Sequence, residues 1–490
     1  MKALTGFIFS LLFIHQIRAQ NIHYKNTPVF TPTQLREDYS ILVKTLREAY
    51  PSTYRYNSKS DLNQFFKTNI SELNQSLTEK QFYPVIAATV AKMKDEHIIS
   101  TPSEKYYDDV YKRSTKFLPF SIKVIGRRMY VCKSADPQLK TGTEIVLING
   151  VGAQSIIQKL IKYIHRDGYI STFLYRHLED FSPTQNENLF DLYFSVFYNL
   201  RNTVKLVVKS TNNKTFVINC PSLNYANYTK FYWQRNPHEL PLSFKQFSDD
   251  IALIGISSFD GTYRDTYKQN FDTLFEQTFR RLDSNKTKNL ILDLRRCEGG
   301  DNSYLLLLSY LMTKPFRVLD YIEVSYSGLP STAKYFESTD NAFFADTLLQ
   351  RTTTGMYRLK AKYESTIPGY TDIYPKRANF KGRVFVLTSG ATGSAAAILA
   401  SLLRNNNRAT FIGEETGGSM EGPTSLNIPI LVLPNSKIRV EIPLIRLQLA
   451  VKYIKGRGVI PDYAVQQSPE DLRCEKDTQL NFALKLAGGK

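Results

Sequence analysis

From about Asp249 to Val465 the chain alternates short apolar runs of strand length with longer runs of helical period, and few architectures accept that order. Ile251-Ala-Leu-Ile-Gly-Ile256 reads as a strand, Phe271 to Leu282 as a helix, Asn289-Leu-Ile-Leu-Asp-Leu294 as a second strand, Tyr304 to Met312 as a helix and Val384-Phe-Val-Leu387 as a third strand. A nearly continuous apolar strand needs cover on both faces, so the pattern predicts an α/β core with much parallel pairing. The third strand runs through a tight Gly-bearing turn into Ser394-Ala-Ala-Ala-Ile-Leu-Ala-Ser-Leu-Leu403, mostly strong helix formers, stopped by Asn405 to Asn407. Ser394 therefore falls on the first turn of a helix, where unpaired N–H groups and the helix dipole favour negative charge. A serine there suits acyl transfer. Read alone, the same Gly-Ser-Ala serves close packing of a helix on a sheet.

The remaining segments differ in period. From about Phe30 to Ser100 the pattern is helical: Leu35, Tyr39, Leu42, Leu46 and Tyr50 recur at three- or four-residue steps before Pro51, and Phe82, Val85, Ile86, Val90 and Met93 line one face of Glu79 to Lys94. From about Phe117 to Leu223 short β-rich runs dominate, with Gly142-Thr-Glu-Ile-Val-Leu-Ile-Asn-Gly150 reading as a strand and Asn-Gly turn before a helical Ile156 to Ile164. The expected division is a signal peptide at 1–19, a helical unit at 20–112, a β-rich module with its linker at 113–245, the α/β core at 246–470 and a tail at 471–490.

Met1-Lys2, the apolar stretch Leu4 to Ile14 and the exit Ile17-Arg-Ala-Gln20 describe a secretory signal cleaved after Ala19, with no cysteine nearby to carry a lipid. The expected location is exported, periplasmic or secreted, without stable membrane insertion, since no later stretch approaches the length of a spanning helix. The net charge of +18 is spread along the chain in pairs of Lys and Arg at most, which argues against a nucleic-acid binder. Cys132, Cys220, Cys297 and Cys474 are scattered without metal-ligand spacing, so no metal and no cofactor is expected, while one or two disulfides are open after export.

Past the strand Asn289–Leu294 comes Arg295-Arg-Cys-Glu-Gly-Gly-Asp301, whose glycines let backbone N–H groups approach a ligand. Facing Ser394, Gly299 or Gly300 with the N–H of Ala395 would form an oxyanion hole; the alternative is a plain strand-to-helix turn. A nucleophilic serine needs a base. Of His15, His23, His97, His165, His177 and His238, His97 in Lys94-Asp-Glu-His-Ile-Ile-Ser100 has the loop-like, acid-flanked position an oriented imidazole requires, whereas His177 reads as a helix-face residue.

The ordered set R-x-x-G-G, T-S-G-x-T-x-S-A-x-x-I, Ile412-Gly-Glu-Glu-Thr-Gly-Gly418 and Gly458-Val-x-Pro-Asp462 resembles the tail-specific, or C-terminal processing, serine peptidases over about residues 90 to 465. The resemblance implies a ClpP/crotonase-like α/β core, a PDZ-like reading of the β-rich module, Ser394 as nucleophile, and Gly299, Gly300 and Ala395 at the oxyanion hole. The processing branch places a lysine base about 25 residues after the serine, where this chain has Ser419; the tricorn-like branch uses a histidine from a D-x-H segment, which Asp95-Glu-His97 matches. The tricorn-like orienting glutamate has no direct counterpart, and Glu414, Glu415 and Glu421 are the available substitutes. The expectation is an exported serine peptidase acting on peptide or polypeptide. A non-catalytic peptide- or ligand-binding protein on the same scaffold is the rival, and an esterase the third reading.

Overall fold

A computed structural model describes residues 28–488 apart from 180, 183–186, 211–212, 236–239 and 339–345. The expected signal segment, His15, His23 and His238 lie outside the described residues. The core is a six-stranded sheet in the order Leu242–Ser248, Ile251–Ile256, Asn289–Asp293, Arg383–Thr388, Ala409–Gly413, Tyr463–Ala464. The first pair is antiparallel and the rest are parallel, Leu292 standing opposite Val386 and Leu387 opposite Ile412. Period-two alternation divides the side chains of these strands between two hydrophobic clusters. Leu290, Leu292, Val384, Val386 and Phe411 pack with Phe275, Phe279, Leu307, Leu399 and Leu403 from the helices Phe271–Ser284, Ser303–Leu311 and Ser394–Asn405. Ile251, Ile291, Phe385, Leu387 and Ile412 pack with Leu480, Ala483 and Ala487 at the C-terminal helix Thr478–Leu486. Both faces are covered, which is why the central strands are apolar almost without a break. The segment set apart as a tail thus supplies part of the cover.

The β-rich module is an antiparallel sheet in the order Thr215–Pro221, Thr203–Lys209, Glu144–Ile148, Arg128–Ser134, Phe120–Ile125. Its Asn149-Gly150 turn has both residues at positive φ (48° and 84°), the twist a tight hairpin needs. The N-terminal unit holds the helices Pro32–Glu48, Lys59–Glu72 and Glu79–Met93, the first closed by a reciprocal Thr31/Gln34 capping box. Lys94, at φ 58°, ends the third helix in a left-handed cap. Five residues on, Ile99–Thr101 pairs antiparallel with Arg439–Glu441, Ser100 opposite Val440. The N-terminal unit is therefore stitched to distant chain at the point where it carries His97. Among the described residues no disulfide links Cys132, Cys220, Cys297 and Cys474, and no helix is long and apolar enough to cross a membrane.

Candidate active site

The strand Arg383–Thr388 delivers the chain into a turn whose last residue, Ser394, has φ 45°. A left-handed conformation is costly for a residue with a Cβ and survives where surrounding structure enforces it. Here the enforcement is explicit. The Gly393 N–H donates to the Cys297 carbonyl at 3.1 Å, Thr392 Oγ1 donates to the Leu294 carbonyl at 2.8 Å, and the Ser394 N–H donates to Glu96 Oε1 at 2.8 Å. Ser394 is left partly exposed at the helix start.

Facing it, His97 Nε2 lies 3.0 Å from Ser394 Oγ, although the two residues are 297 positions apart. The cap at Lys94 and the strand pairing at Ile99–Thr101 fix the intervening segment at both ends. Inside it, the His97 N–H donates to Asp95 Oδ1 at 2.9 Å, while Tyr50 Oη donates to Asp95 Oδ2 at 2.7 Å. His97 Nδ1 is buried without a hydrogen-bond partner, with Asp95 Oδ1 and Glu96 Oε1 each 3.8 Å away. Burial lowers the imidazole pKa from its ordinary value, with the Asp95 charge opposing. The ring is therefore neutral at pH 7 and able to accept a proton.

The expected orienting carboxylates are elsewhere. Glu414 pairs with Arg176 at 3.1 Å, Glu415 takes both nitrogens of an Arg457 fork at 2.8 Å, and Glu421 is buried against Arg55 at 3.1 Å while accepting from Tyr56 Oη and the Gly456 N–H, each at 2.7 Å. None is within ion-pair distance of His97: each is held by an arginine, Arg176 and Arg55 from far along the chain and Arg457 from the neighbouring loop. The carboxylates beside the ring are its chain neighbours, Asp95 and Glu96, supported by Asp167. Asp167 Oδ1 accepts the Glu96 N–H and Oδ2 the Ser419 N–H, both at 2.9 Å, so one side chain ties the histidine segment to the loop after the nucleophile. Burial and then Asp167 drive the Glu96 carboxyl well above its usual range; burial and then Asp95 push Asp167 up to about 7. Asp95 and Glu96 were visible in the sequence as acidic flanks; nothing local marks Asp167, in His165-Arg-Asp-Gly168.

Of the oxyanion candidates, Gly299 and Ala395 come together. A Cβ on Gly299 would stand 2.6 Å from Ser394 Cβ and 2.8 Å from the Ala395 nitrogen, at φ +108°. Gly300 (φ +137°) packs instead on Phe259 and Asp260, where an added Cβ would meet backbone at 2.2 Å. Ser419, at the position a lysine base would take in the processing branch, donates its N–H to Asp167. The adjacent Gly418 has room only for hydrogen: a Cβ would lie 3.1 Å from Glu96 Oε1 and 2.5 Å from Ala397 Cβ. His177, expected on a helix face, stacks on Phe173 with ring centroids 3.5 Å apart and has Nε2 4.0 Å from Glu298 Oε1.

The model of peptidase family S41 matches residues 250–465. Among solved structures, mature CPAF complexed with lactacystin has a TM-score of 0.64 at 15% identity, over 93% of this chain and 98% of that one. The photosystem II D1 C-terminal processing protease is 16% identical over 94% of this chain and 97% of its own, with a TM-score of 0.43. Tricorn protease is 13% identical over 93% of this chain and 37% of its own, with a TM-score of 0.37. At such identities the CPAF likeness is one of fold.

Proposed function

We propose that this chain, whose residues 250–465 match the model of peptidase family S41, is an exported serine peptidase that cleaves peptide bonds with Ser394 as nucleophile and His97 as base. The observation that carries the reading is the 3.0 Å separation of His97 Nε2 from Ser394 Oγ, with the imidazole neutral by burial. In the forward half-reaction Nε2 takes the Oγ proton as Oγ attacks the substrate carbonyl. The oxygen of the tetrahedral intermediate is then held by N–H groups near Gly299 and at Ala395, the first turn of a helix. His97 returns its proton to the leaving amine, giving an acyl-enzyme and a free amino terminus. Water, deprotonated by the same nitrogen, attacks the ester, and the proton goes back to Ser394 Oγ as the carboxylate leaves. The imidazolium formed in each half-reaction has Asp95 Oδ1 3.8 Å from its Nδ1, and the Asp95 charge, which raises the histidine pKa against burial, stabilises the charged ring. Export rests on the signal-like Met1 to Ala19.

The test is labelling of residues 20–490 with a fluorophosphonate probe, wild type against Ser394→Ala and His97→Ala. Labelling present in wild type and lost in both variants is expected. A folded wild-type protein that does not label, or that labels equally in both variants, would overturn the mechanism. The rival binding role has against it the short base–nucleophile distance, since a ligand-binding scaffold does not require one.

A further inference from the structure

Glu298 immediately precedes the glycine that touches the nucleophile. A Cβ on Gly393, the residue before Ser394, would stand 3.8 Å from Glu298 Cα, so the acid belongs to the rim of the site by its backbone as well as by sequence. Its side chain is 56% exposed, and no Lys or Arg among the described residues lies within 4 Å of its carboxylate. The basic group it faces is His177 Nε2 at 4.0 Å, on the helix Ser171–Glu179. His177 Nδ1 is 3.0 Å from the Phe173 carbonyl, which can only accept, so Nδ1 carries the proton. In the neutral ring Nε2 then presents a lone pair. Two acceptors, one anionic, thus converge across 4.0 Å at the rim of the site. An ammonium or guanidinium supplies the several donors that fit between such groups.

We propose that Glu298 and His177 form a specificity subsite that selects peptides carrying lysine or arginine beside the scissile bond. This rests on the peptidase reading given above. The chain as a whole is strongly basic, at +18, so an acidic mouth is a local feature and not a consequence of overall charge. Acidic side chains at the same substrate position would meet two acceptors and no donor, and are disfavoured.

Denatured casein digested by the mature chain, with the new termini read by mass spectrometry, locates the cleaved bonds. Quenched-fluorescent peptides built on one such site, differing only as Lys, Gln or Glu beside the bond, then give kcat/KM ratios. Wild type is expected to favour Lys over Gln by about two- to fivefold at low salt, the scale of a partly exposed ion pair, with the preference shrinking as salt is added. Glu298→Gln should bring the ratio to about one, and Glu298→Lys should favour the Glu peptide. Because the readout is a ratio within each variant, a general loss of activity cancels; His177→Ala, away from the oxyanion loop, should weaken the preference in the same direction. Ser394-dependent hydrolysis with the same Lys/Gln ratio in wild type and Glu298→Gln overturns the subsite alone. Absence of any Ser394-dependent hydrolysis overturns the peptidase reading with it.

Discussion

Gly299→Ala places a single methyl group where the proposed chemistry occurs. The added Cβ would stand 2.6 Å from Ser394 Cβ, 2.8 Å from the Ala395 nitrogen and 3.2 Å from the Gly393 carbonyl oxygen. Ordinary carbon contacts are about 3.5–4.0 Å, so the loop or the serine turn must retreat by roughly 1 Å. Two costs follow. The backbone at φ +108° strains any side-chain-bearing residue, by about 1–3 kcal/mol. Displacing the oxyanion donors or the nucleophile by about 1 Å costs on the order of 10²-fold in rate. Their sizes separate them. Even if total stability were about 5 kcal/mol and the full 3 kcal/mol were lost, the remaining 2 kcal/mol leaves only about 3% of molecules unfolded at 25 °C. A catalytic efficiency reduced about 30-fold or more, at an intact circular-dichroism signal, therefore reports the site and not the fold. Initial rates on a casein-derived fluorogenic peptide, normalised by fluorophosphonate active-site titration, make the measurement. Gly300→Ala is the contrast: its Cβ would collide with the backbone of Phe259 and Asp260 at 2.2 Å, at the bridge where the Phe259 N–H donates to the Gly299 carbonyl. That variant should lose melting temperature first. A Gly299→Ala protein whose catalytic efficiency stays within about threefold of wild type would refute the packing of this loop on the nucleophile as a determinant of catalysis.

Arg55→Ala leaves Glu421 buried without its 3.1 Å partner and should cost about 3–5 kcal/mol, read as a lower urea midpoint at unchanged slope. The acid limb of kcat/KM should lie below the ordinary histidine value of about 6.5, because burial lowers the His97 pKa against the pull of Asp95 and the neutral ring is the active form; a limb above about pH 7 would contradict this. Asp167 bears on stability with the opposite sign to an ion-paired carboxylate. Its folded-state pKa, pushed up to about 7 by burial and Asp95, exceeds the unfolded value of about 3.9, so its contribution is full below about pH 4 and is lost as pH rises through 7. Melting midpoints measured from about pH 5.5 to 8 should fall with pH more steeply in wild type than in Asp167→Asn, whose midpoint is lower throughout because one of the Glu96 and Ser419 N–H groups loses its acceptor. A parallel pair of curves would show that Asp167 is ionised throughout.

The α/β core was legible because its signals are local. An apolar run such as Asn289–Asp293 announces cover on both faces, and Gly-Ser before an alanine-rich helix announces a tight strand-to-helix turn. His97 was singled out for a related reason: the end of an amphipathic helix, two acids and the start of an extended run lie within eight residues of chain. What surrounds the histidine was not. Glu414 and Glu421 follow Ser394 closely in sequence, but charges within a domain find partners by position in space, and Arg176 and Arg55 reach them from 238 and 366 residues away. Removing an acid from that competition requires knowing where the arginines fold, which no window of sequence contains. Asp95 and Glu96 start next to the imidazole along the chain, and Tyr50 and the Ser394 N–H hold their carboxylates where an oxygen of each lies 3.8 Å from Nδ1. Asp167 becomes explicable only in space: it accepts the Glu96 N–H on one oxygen and the Ser419 N–H on the other, and so fixes the histidine segment to the loop that carries Ser419. The Ser394 turn is held both by the α/β core, through Cys297 and Leu294, and by Glu96 of the N-terminal unit, while the His97 segment is held by Asp167 and by pairing with Arg439–Glu441. On the proposed mechanism, reactivity at Ser394 is accordingly a property of the assembled chain, and an isolated core of residues 250–465 is expected to carry the serine and its turn without His97, and so to lose fluorophosphonate labelling.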